Sequence, residues 1–556
     1  MTENPPSGAQ QPPRPPEPEL SARRGVFTRF LIIVEWLGNL LPHPVTLFAI
    51  FALGVVVLSG ITGGLLEWEV VDPRPEGSKG RAADGMIRAV SLMNGDGFRQ
   101  IIENLVSNFV GFVPLGTVLV ALLGVGVAEK SGLLSAAIRL VVLNAPKVLV
   151  TTTLVFAGVL SNTASEMGYV VIVPMGAVIF YSLGRHPLAG LAAAFAGVSG
   201  GYSANLLIGT IDPLLAGITQ EAARMIDPAY EVHPAVNWYF MMASTFVITG
   251  IGTLVTTWIV EPKLGKFDDS NAEKGIENVM SMDPLTQVER RGLAWSAVAG
   301  LGMTLLFVYF AGPVWLQSVL DWIPGYGVLR DPETGNLLGS PFTRGVVAMI
   351  FMFFIVPGFV YGRIVGTMRN DRDIIDGMST AMSSMGLYIV LVFFAAQFVE
   401  YFKWSNLGSI LAVVGADAIA TLGLDNALVF IPFILLCCLV NLMLGSASAQ
   451  WAVTAPIFVP MLMLTGYSPE VIQAAYRIGD STTNIITPMM SYFGIIFAFA
   501  CRYDRKLGIG TLISTMLPYS ICFIIGWVAL FYLWVFVLKL PVGPGAPTYY
   551  TPGAAG

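Results

Sequence analysis

The sequence is dominated by long apolar segments without a charged residue, such as residues 295–310. Only 12% of its 556 residues are charged, whereas a soluble chain uses about a quarter of its residues in this way. Apolar runs of roughly 20 residues cross the hydrocarbon layer as helices, while barrel strands alternate apolar and polar residues. The sequence therefore predicts an all-α integral membrane protein.

Nine apolar segments are long enough to cross a bilayer. They fall near residues 30–62, 100–128, 186–212, 236–260, 292–313, 344–366, 376–402, 469–500 and 510–538. Two further regions, about 147–183 and about 425–466, each have two apolar arms around a short polar cluster. Non-helical polar backbone at membrane depth is tolerated only inside protein or beside a wet cavity. We therefore predict about nine transmembrane helices plus two re-entrant hairpins.

The two hairpin regions resemble each other. Each has a Ser-containing tip, then Val-Pro-Met at 173–175 or 459–461, then an apolar segment interrupted by polar residues at 202–207 or 480–485. Lys and Arg are in excess in cytoplasmic loops, and their distribution places the N-terminus inside and the two hairpins on opposite sides. The pattern predicts an inverted-repeat secondary transporter, in which broken helices form the substrate site near the bilayer midplane.

The predicted organisation has five parts. They are a disordered cytoplasmic tail (1–25), a first half with hairpin 1 (26–260), a cytoplasmic linker (261–291), a second half with hairpin 2 (292–540) and a disordered C-terminal tail (541–556). The first tail is Pro-rich and lacks the apolar core of a signal peptide. We expect a multi-pass protein of the bacterial inner membrane with a cytoplasmic N-terminus and an external C-terminus.

Four motifs carry a family resemblance. SNTASEMGY at 161–169, NLLIGTID at 205–212, SASAQW at 446–451 and YRIGDS at 476–481 resemble the p-aminobenzoyl-glutamate transporter family (AbgT). The resemblance extends over about residues 25–540. It implies a homodimer, a distant relation to sodium-coupled dicarboxylate carriers, and transport of p-aminobenzoyl-glutamate or p-aminobenzoate-like compounds, including export of sulfonamide antimetabolites.

The resemblance also assigns substrate-binding and transport positions. They are Asp212, Asn441, Ser448, Trp451, Arg477, Asp480 and Pro488. A charge within a membrane span costs from about 2.5 to more than 10 kcal/mol, so such residues are kept when paired or functional. The planar fork of Arg477 fits a substrate carboxylate, and the alternative is an ion pair with Asp480 on the same helix turn. Asp480 would then be a proton acceptor or an ion ligand.

The other assigned positions have structural alternatives. Asp212 stands before Pro213, as in the N-cap of a helix. Trp451 could stack on an aromatic substrate or lie in the interfacial belt. Asn441 needs a hydrogen-bond partner, from either substrate or protein. Pro488 maintains a helix break, and Glu166 is a candidate coupling residue or a cap.

The tips and interruptions are rich in hydroxyl and amide oxygens, which suit a hard cation such as Na⁺. The candidate ion-binding residues are Ser161, Asn162, Thr163, Ser203, Asn205, Ser446, Thr482, Thr483 and Asn484. Helix capping and interhelix hydrogen bonding are the alternative role of each. The oxygen-rich tips favour Na⁺ as the coupling ion, whereas Asp212 and Asp480 favour H⁺.

The sequence contains no ATP-binding loop, cofactor motif or catalytic motif, and its three histidines lack metal-ligand spacing. We expect a transporter driven by an ion gradient, without a cofactor or a nucleic-acid partner, rather than an enzyme. Proton-driven antiport for export is the favoured mechanism. A sodium-coupled dicarboxylate-type symporter, an importer and a channel are the alternatives.

Overall fold

The computed structural model describes most of the chain. The described residues are 42–77, 81–143, 146–164, 167–268, 272, 284–313, 316–317, 320, 322–337, 340–424 and 426–551. The predicted tail at 1–25, much of the linker at 261–291, and Glu166 lie outside them.

Nine helices in this part of the chain are long and apolar enough to cross a membrane. They are Pro44–Gly64, Gly95–Ser131, Trp238–Leu264, Gln287–Ala311, Val346–Val365, Gly386–Trp404, Ala427–Leu444, Ala447–Leu464 and Ile509–Val537. The strands described are β1 (Glu69–Val71) and β2 (Met86–Arg88), an antiparallel pair. The predicted all-α membrane fold is confirmed.

The helices follow one another in this order: α1 (Pro44–Gly64), α2 (Gly95–Gly111), α3 (Val113–Ser131), α4 (Leu133–Leu143), α5 (Val150–Ser161), α6 (Met167–Ser182), α7 (Pro187–Phe195), α8 (Ile211–Ala223), α9 (Trp238–Val255), α10 (Glu261–Leu264), α11 (Gln287–Ala311), α12 (Pro341–Arg344), α13 (Val346–Val365), α14 (Asp371–Ser384), α15 (Gly386–Trp404), α16 (Leu407–Thr421), α17 (Phe430–Leu444), α18 (Ala447–Leu464), α19 (Pro469–Thr483), α20 (Phe493–Tyr503) and α21 (Ile509–Tyr532). A π turn prolongs α7 to Gly200, and a 3₁₀ turn prolongs α19 to Ile486.

Two predicted spans are broken helices. The segment at 186–212 is helical to Gly200, irregular at 201–210, and helical again from Ile211. The segment at 469–500 is irregular at 487–492. Its break lies later than the predicted 480–485, because Pro488 disfavours helical geometry at Thr487, which is extended at φ −97° and ψ 125°.

Two other predicted spans have different boundaries. The segment at 100–128 is divided at Phe112, because Pro114 cannot continue the preceding helix. The segment at 376–402 crosses only from Gly386, since its first residues belong to the polar helix α14, which begins with a capping box at Asn370. The sequence analysis also missed the 15-residue helix α16.

The hairpin regions form two antiparallel helix pairs, and their turns are defined here as tip 1 (161–164) and tip 2 (445–448). In the first pair, α5 has 12 residues and α6 has 16, both short of a full crossing. Both arms of the second pair, Ala427–Leu444 and Ala447–Leu464, are long and apolar enough to cross a membrane, so the second re-entrant hairpin stays a prediction. Gly445 turns the chain at tip 2 with φ 54°, and a Cβ there would lie 2.7 Å from the Met489 carbonyl oxygen. Tip 2 is thus held against the break in the following helix.

Tip 1 lies against the other break. The Asn162 side-chain amide donates to the Gly201 carbonyl (3.3 Å), and the Thr163 hydroxyl donates to the Asn205 side chain (2.8 Å). The Ser203 backbone amide donates to the Ser481 hydroxyl oxygen at 3.0 Å, which joins the first break to α19. Both tips and both breaks therefore meet in the protein interior.

The end of the chain is packed, contrary to the predicted disordered tail at 541–556. The Val542 carbonyl accepts a hydrogen bond from the Phe240 amide, and the Thr548 carbonyl accepts one from the Ser468 amide. Val542 and Ala546 are buried. The prediction is wrong for 541–551, because Pro and Gly in this segment permit a turn that fits over the ends of α9 and α19.

We predict that the contact between hairpin 1 and α7 depends on two glycines. A Cβ at Gly190 would lie 2.1 Å from the Gly176 carbonyl oxygen. Gly190→Ala should therefore destabilise the protein by about 1–3 kcal/mol through overpacking, measured as a lower midpoint of thermal unfolding in detergent. Gly250→Ala is the control, because its Cβ would meet no atom within 4 Å. Equal midpoints for the two variants would contradict the prediction.

Candidate functional site

A cavity of about 720 Å³ lies where the tips and breaks meet. Asn162 and Tyr202 line it from the first half of the chain, and Ser448 and Asn484 line it from the second half. The cavity extends to Glu129 at the end of α3, on the side that the charge pattern predicts to be cytoplasmic. Its position and size suit a small molecule held between the two units.

Arg477 forms an ion pair with Asp212 from the other unit. Arg477 Nη1 lies 2.6 Å from Asp212 Oδ1, and the two side chains are 3% and 4% exposed. The second oxygen of Asp212 accepts the Gly209 backbone amide at 2.6 Å. The structure thus pairs Arg477 with Asp212 rather than with Asp480. Asp212 lies in the first turn of α8, after the N-cap residue Thr210, so the expected N-cap role is wrong.

Asp480 is fully buried. Within the described chain, neither of its carboxylate oxygens has a hydrogen-bond partner. Its backbone carbonyl accepts the Asn441 side-chain amide at 2.6 Å, and the same amide contacts Thr483 and Asn484, each at 2.9 Å. Leaving a buried carboxylate charged and unpaired costs several kcal/mol. A proton or a cation would remove that cost, so Asp480 is suited to bind either one.

Trp451 lies in the protein interior and not in the interfacial belt, the alternative predicted for it. Its ring is fully buried and stacks on Tyr476, with centroids 4.2 Å apart and planes at 23°. The indole N–H donates to the Thr219 hydroxyl at 2.8 Å. Trp451 therefore joins α18 to α8 and α19 inside the protein, away from the lipid interface.

The candidate ion-binding residues divide into two groups. Ser161 donates to the Gly158 carbonyl, and Thr482 to the Ile478 carbonyl, which are the alternative structural roles. Buried side-chain oxygens in tip 1, in the first break and in α17, the last from a predicted substrate-binding residue, have no hydrogen-bond partner among the described atoms. They belong to the side chains of Asn162, Ser203 and Asn441. Ser446 lines the cavity, and Pro488 lies in the second break.

Sequence reasoning missed a set of buried polar residues around α19. Glu470 and Gln473 precede Arg477 and Asp480 at helical spacing, and both are buried. The signal was present in the sequence, since polar residues three or four apart lie on one side of a helix.

Comparisons with known proteins match nearly the whole chain to one family. The model of a family described as "AbgT putative transporter family" matches residues 29–550. The chain is 37% identical over 513 residues to the p-aminobenzoyl-glutamate transport protein of Escherichia coli K12, covering 92% of this chain and 95% of that protein.

Two solved structures are similar over almost their whole length. MtrF of Neisseria gonorrhoeae, described among a class of antimetabolite efflux pumps, has a TM-score of 0.86 and 57% identity, covering 93% of this chain and 100% of MtrF. The YdaH transporter of Alcanivorax borkumensis has a TM-score of 0.81 and 42% identity, covering 90% of this chain and 100% of YdaH.

We predict that the two partners of the buried ion pair depend on each other. Asp212→Asn or Arg477→Gln alone leaves one buried charge unpaired, which should cost about 3–5 kcal/mol of unfolding free energy. The double variant should recover part of this loss. Thermal unfolding in detergent measures all three variants. Asp376→Asn is the control, because the Lys130–Asp376 pair is half exposed and should matter little. Additive losses in the double variant would show that the pair is not coupled.

Proposed function

Because the chain belongs to the AbgT transporter family, we propose that it carries p-aminobenzoyl-glutamate and p-aminobenzoate-like aromatic carboxylates across the bacterial inner membrane. The proposal includes export of sulfonamide antimetabolites and an ion gradient as the energy source. The relatives are described as transport proteins, in agreement with a transporter rather than an enzyme.

The observation that carries the proposal is the buried Arg477, whose partner Asp212 directly follows the cavity-lining residues Thr210 and Ile211. Its guanidinium matches a carboxylate in shape and charge, and both p-aminobenzoate and the glutamate moiety carry carboxylates. Arg477 itself is 3% exposed and already paired. A substrate carboxylate that enters from the cavity would have to compete with Asp212 for the guanidinium.

This competition supplies a route to proton coupling. When substrate takes Arg477, Asp212 becomes a buried carboxylate without its cation, and its charged form becomes unfavourable. Neither oxygen of the Asp480 carboxylate has a hydrogen-bond partner within the described residues. Two carboxylates whose protonation depends on substrate support proton antiport. The unpartnered oxygens of Asn162, Ser203 and Asn441 support the alternative, sodium.

Export is favoured by the 57% identity with MtrF, a protein described with antimetabolite efflux pumps. Import remains the alternative, as does a sodium-coupled dicarboxylate symporter.

We further propose a homodimer. Only 6% of the membrane-spanning residues of α11 are buried within the protomer. The rest form an apolar surface that a second copy or lipid can cover.

The direction and the coupling ion can be measured together. We predict that protein reconstituted in liposomes accumulates radiolabelled p-aminobenzoyl-glutamate when an outward-directed H⁺ gradient is imposed. Accumulation only under an inward Na⁺ gradient would replace antiport by sodium symport. Competition by succinate would favour the dicarboxylate alternative, and uptake unaffected by collapse of both gradients would indicate a channel. If no gradient moves this substrate, the substrate assignment fails.

We also predict that substrate binds in the cavity between the tips. Ser448 is half-buried in the cavity wall, so Ser448→Trp should fill the cavity and raise the Kd of p-aminobenzoyl-glutamate without lowering the thermal unfolding midpoint. Ser182→Trp is the matched control, because Ser182 is exposed at the end of α6. Unchanged affinity in Ser448→Trp, measured with radiolabelled substrate, would place the substrate elsewhere.

A further inference from the structure

Helix α19 carries five polar residues at intervals of three and four, called here the polar stripe. They are Glu470, Gln473, Arg477, Asp480 and Asn484. Residues at this spacing are neighbours on one side of a helix, with about 5–6 Å between their Cβ atoms. Only the second half of the stripe belongs to the site described above. Glu470 and Gln473 have no part in it.

The polar stripe is enclosed by protein along its whole length. Every residue of Pro469–Thr483 is buried. One end reaches the cavity at Asn484. Glu470, in the first turn of the helix, lies 14 residues earlier, which corresponds to about 21 Å along the axis. Helix α19 therefore carries a buried polar side that extends from the cavity to the far end of the helix.

Glu470 is a buried carboxylate without a cation. Its side chain is 4% exposed, and both oxygens accept the Tyr230 hydroxyl, at 3.0 and 2.9 Å. Within the described chain, no Lys, Arg or His nitrogen lies within 4.0 Å of it. An anion in such a place is costly, and a carboxylate held in this way inside a transporter commonly serves a proton path.

Other titratable groups at this end contact Tyr230 rather than the Glu470 carboxylate. Tyr550 packs against the Tyr230 ring, with centroids 6.0 Å apart. Arg224 donates to the Tyr230 carbonyl and pairs with Glu221. Asp227 accepts the Tyr230 amide through its own backbone carbonyl. The outer ends of α17 and α21 contribute uncharged aromatic rings.

A buried hydrogen-bond chain ties Glu470 to the rest of the site. The Asn237 side chain donates to the Glu470 carbonyl (2.9 Å) and accepts the Gln473 side-chain amide (2.8 Å). The Thr219 hydroxyl contacts Gln473 at 2.5 Å and receives the Trp451 indole N–H at 2.8 Å. The Glu470 end of α19 is therefore linked to the helix that carries tip 2.

The Trp451 ring completes this link. It stacks on Tyr476, whose hydroxyl donates to the Ala447 carbonyl in tip 2 at 2.6 Å. Ala447 lines the cavity. Hydrogen bonds and one ring stack thus run from the remote end of α19 to the cavity wall.

We propose that the polar stripe is the proton route between the cavity and the opposite side of the membrane, and that Glu470 is its proton-binding group at the remote end. The inference rests on the proposed proton coupling. Water that enters the stripe would carry the proton from the protonated Glu470 carboxyl to the Asp480 carboxylate. The Glu470 carboxylate then takes a proton from the outer solution past Tyr230.

The test compares Glu470→Gln with the unmodified protein in proteoliposomes. Glutamine still accepts the Tyr230 hydrogen bond but cannot exchange a proton. We expect loss of accumulation driven by an H⁺ gradient, while exchange of labelled for unlabelled substrate persists because it needs no net proton movement. Glu221→Gln makes the same change in a buried carboxylate outside the stripe, and should keep both activities.

Further variants separate proton binding from a structural role. Glu470→Asp should restore proton-driven accumulation with an altered pH profile, whereas a helix-capping role would leave the profile unchanged. Proton-driven accumulation in Glu470→Gln equal to the unmodified protein would overturn the inference alone. Absence of proton-driven accumulation in the unmodified protein would overturn the proposed coupling, and the inference with it. Loss of exchange together with accumulation in Glu470→Gln would assign Glu470 a structural role and overturn the inference.

Discussion

A pair of opposite charges is stable inside a membrane protein only while it stays complete and enclosed. The Arg477–Asp212 pair imposes this condition on both halves of the chain, because α19 supplies one partner and α8 the other. Each helix brings its charge to the centre through a break in a membrane-spanning segment. Tip 1 covers the first break, where Asn162 satisfies the Gly201 carbonyl. Tip 2 lies against the second break, where Gly445 approaches the Met489 carbonyl. The hairpins, the broken helices and the cavity all follow from the need to enclose one ion pair.

The same arrangement concentrates oxygen atoms at the centre. Hydroxyl and amide groups that cap the breaks use most of their hydrogen-bonding capacity, yet the side-chain oxygens of Asn162, Ser203 and Asn441 have no partner within the described chain. Asp480 has none for its carboxylate. A protein built only for rigidity would satisfy these groups. Their retention is consistent with a site that binds and releases a small ion.

Local features of the sequence predicted much of this architecture. Continuous apolar runs predicted most of the membrane-spanning helices. The polar clusters between apolar arms predicted the positions of both hairpin tips. The pairing of Arg477 with Asp212 could not be predicted in this way, because the two residues belong to different halves and only tertiary structure joins them. Asp480 was the nearer acid in sequence and therefore the expected partner. The division at Phe112 was missed since hydropathy continues across that helix break. The boundary at Gly386 was missed because the end of the polar helix α14 was counted with the span that follows it.

The packing of residues 542–550 has a consequence for the order of folding. This segment bonds to Phe240 at the start of α9 and to Ser468 at the start of α19, so it links both halves. During synthesis, both halves are complete before the segment leaves the ribosome. The backbone groups it will cover stay open to water until then, and the first turn of α19 can hydrate. Closure of that end is therefore a late event in biogenesis, and a chain arrested before residue 542 would carry an assembled membrane core with the starts of α9 and α19 uncovered.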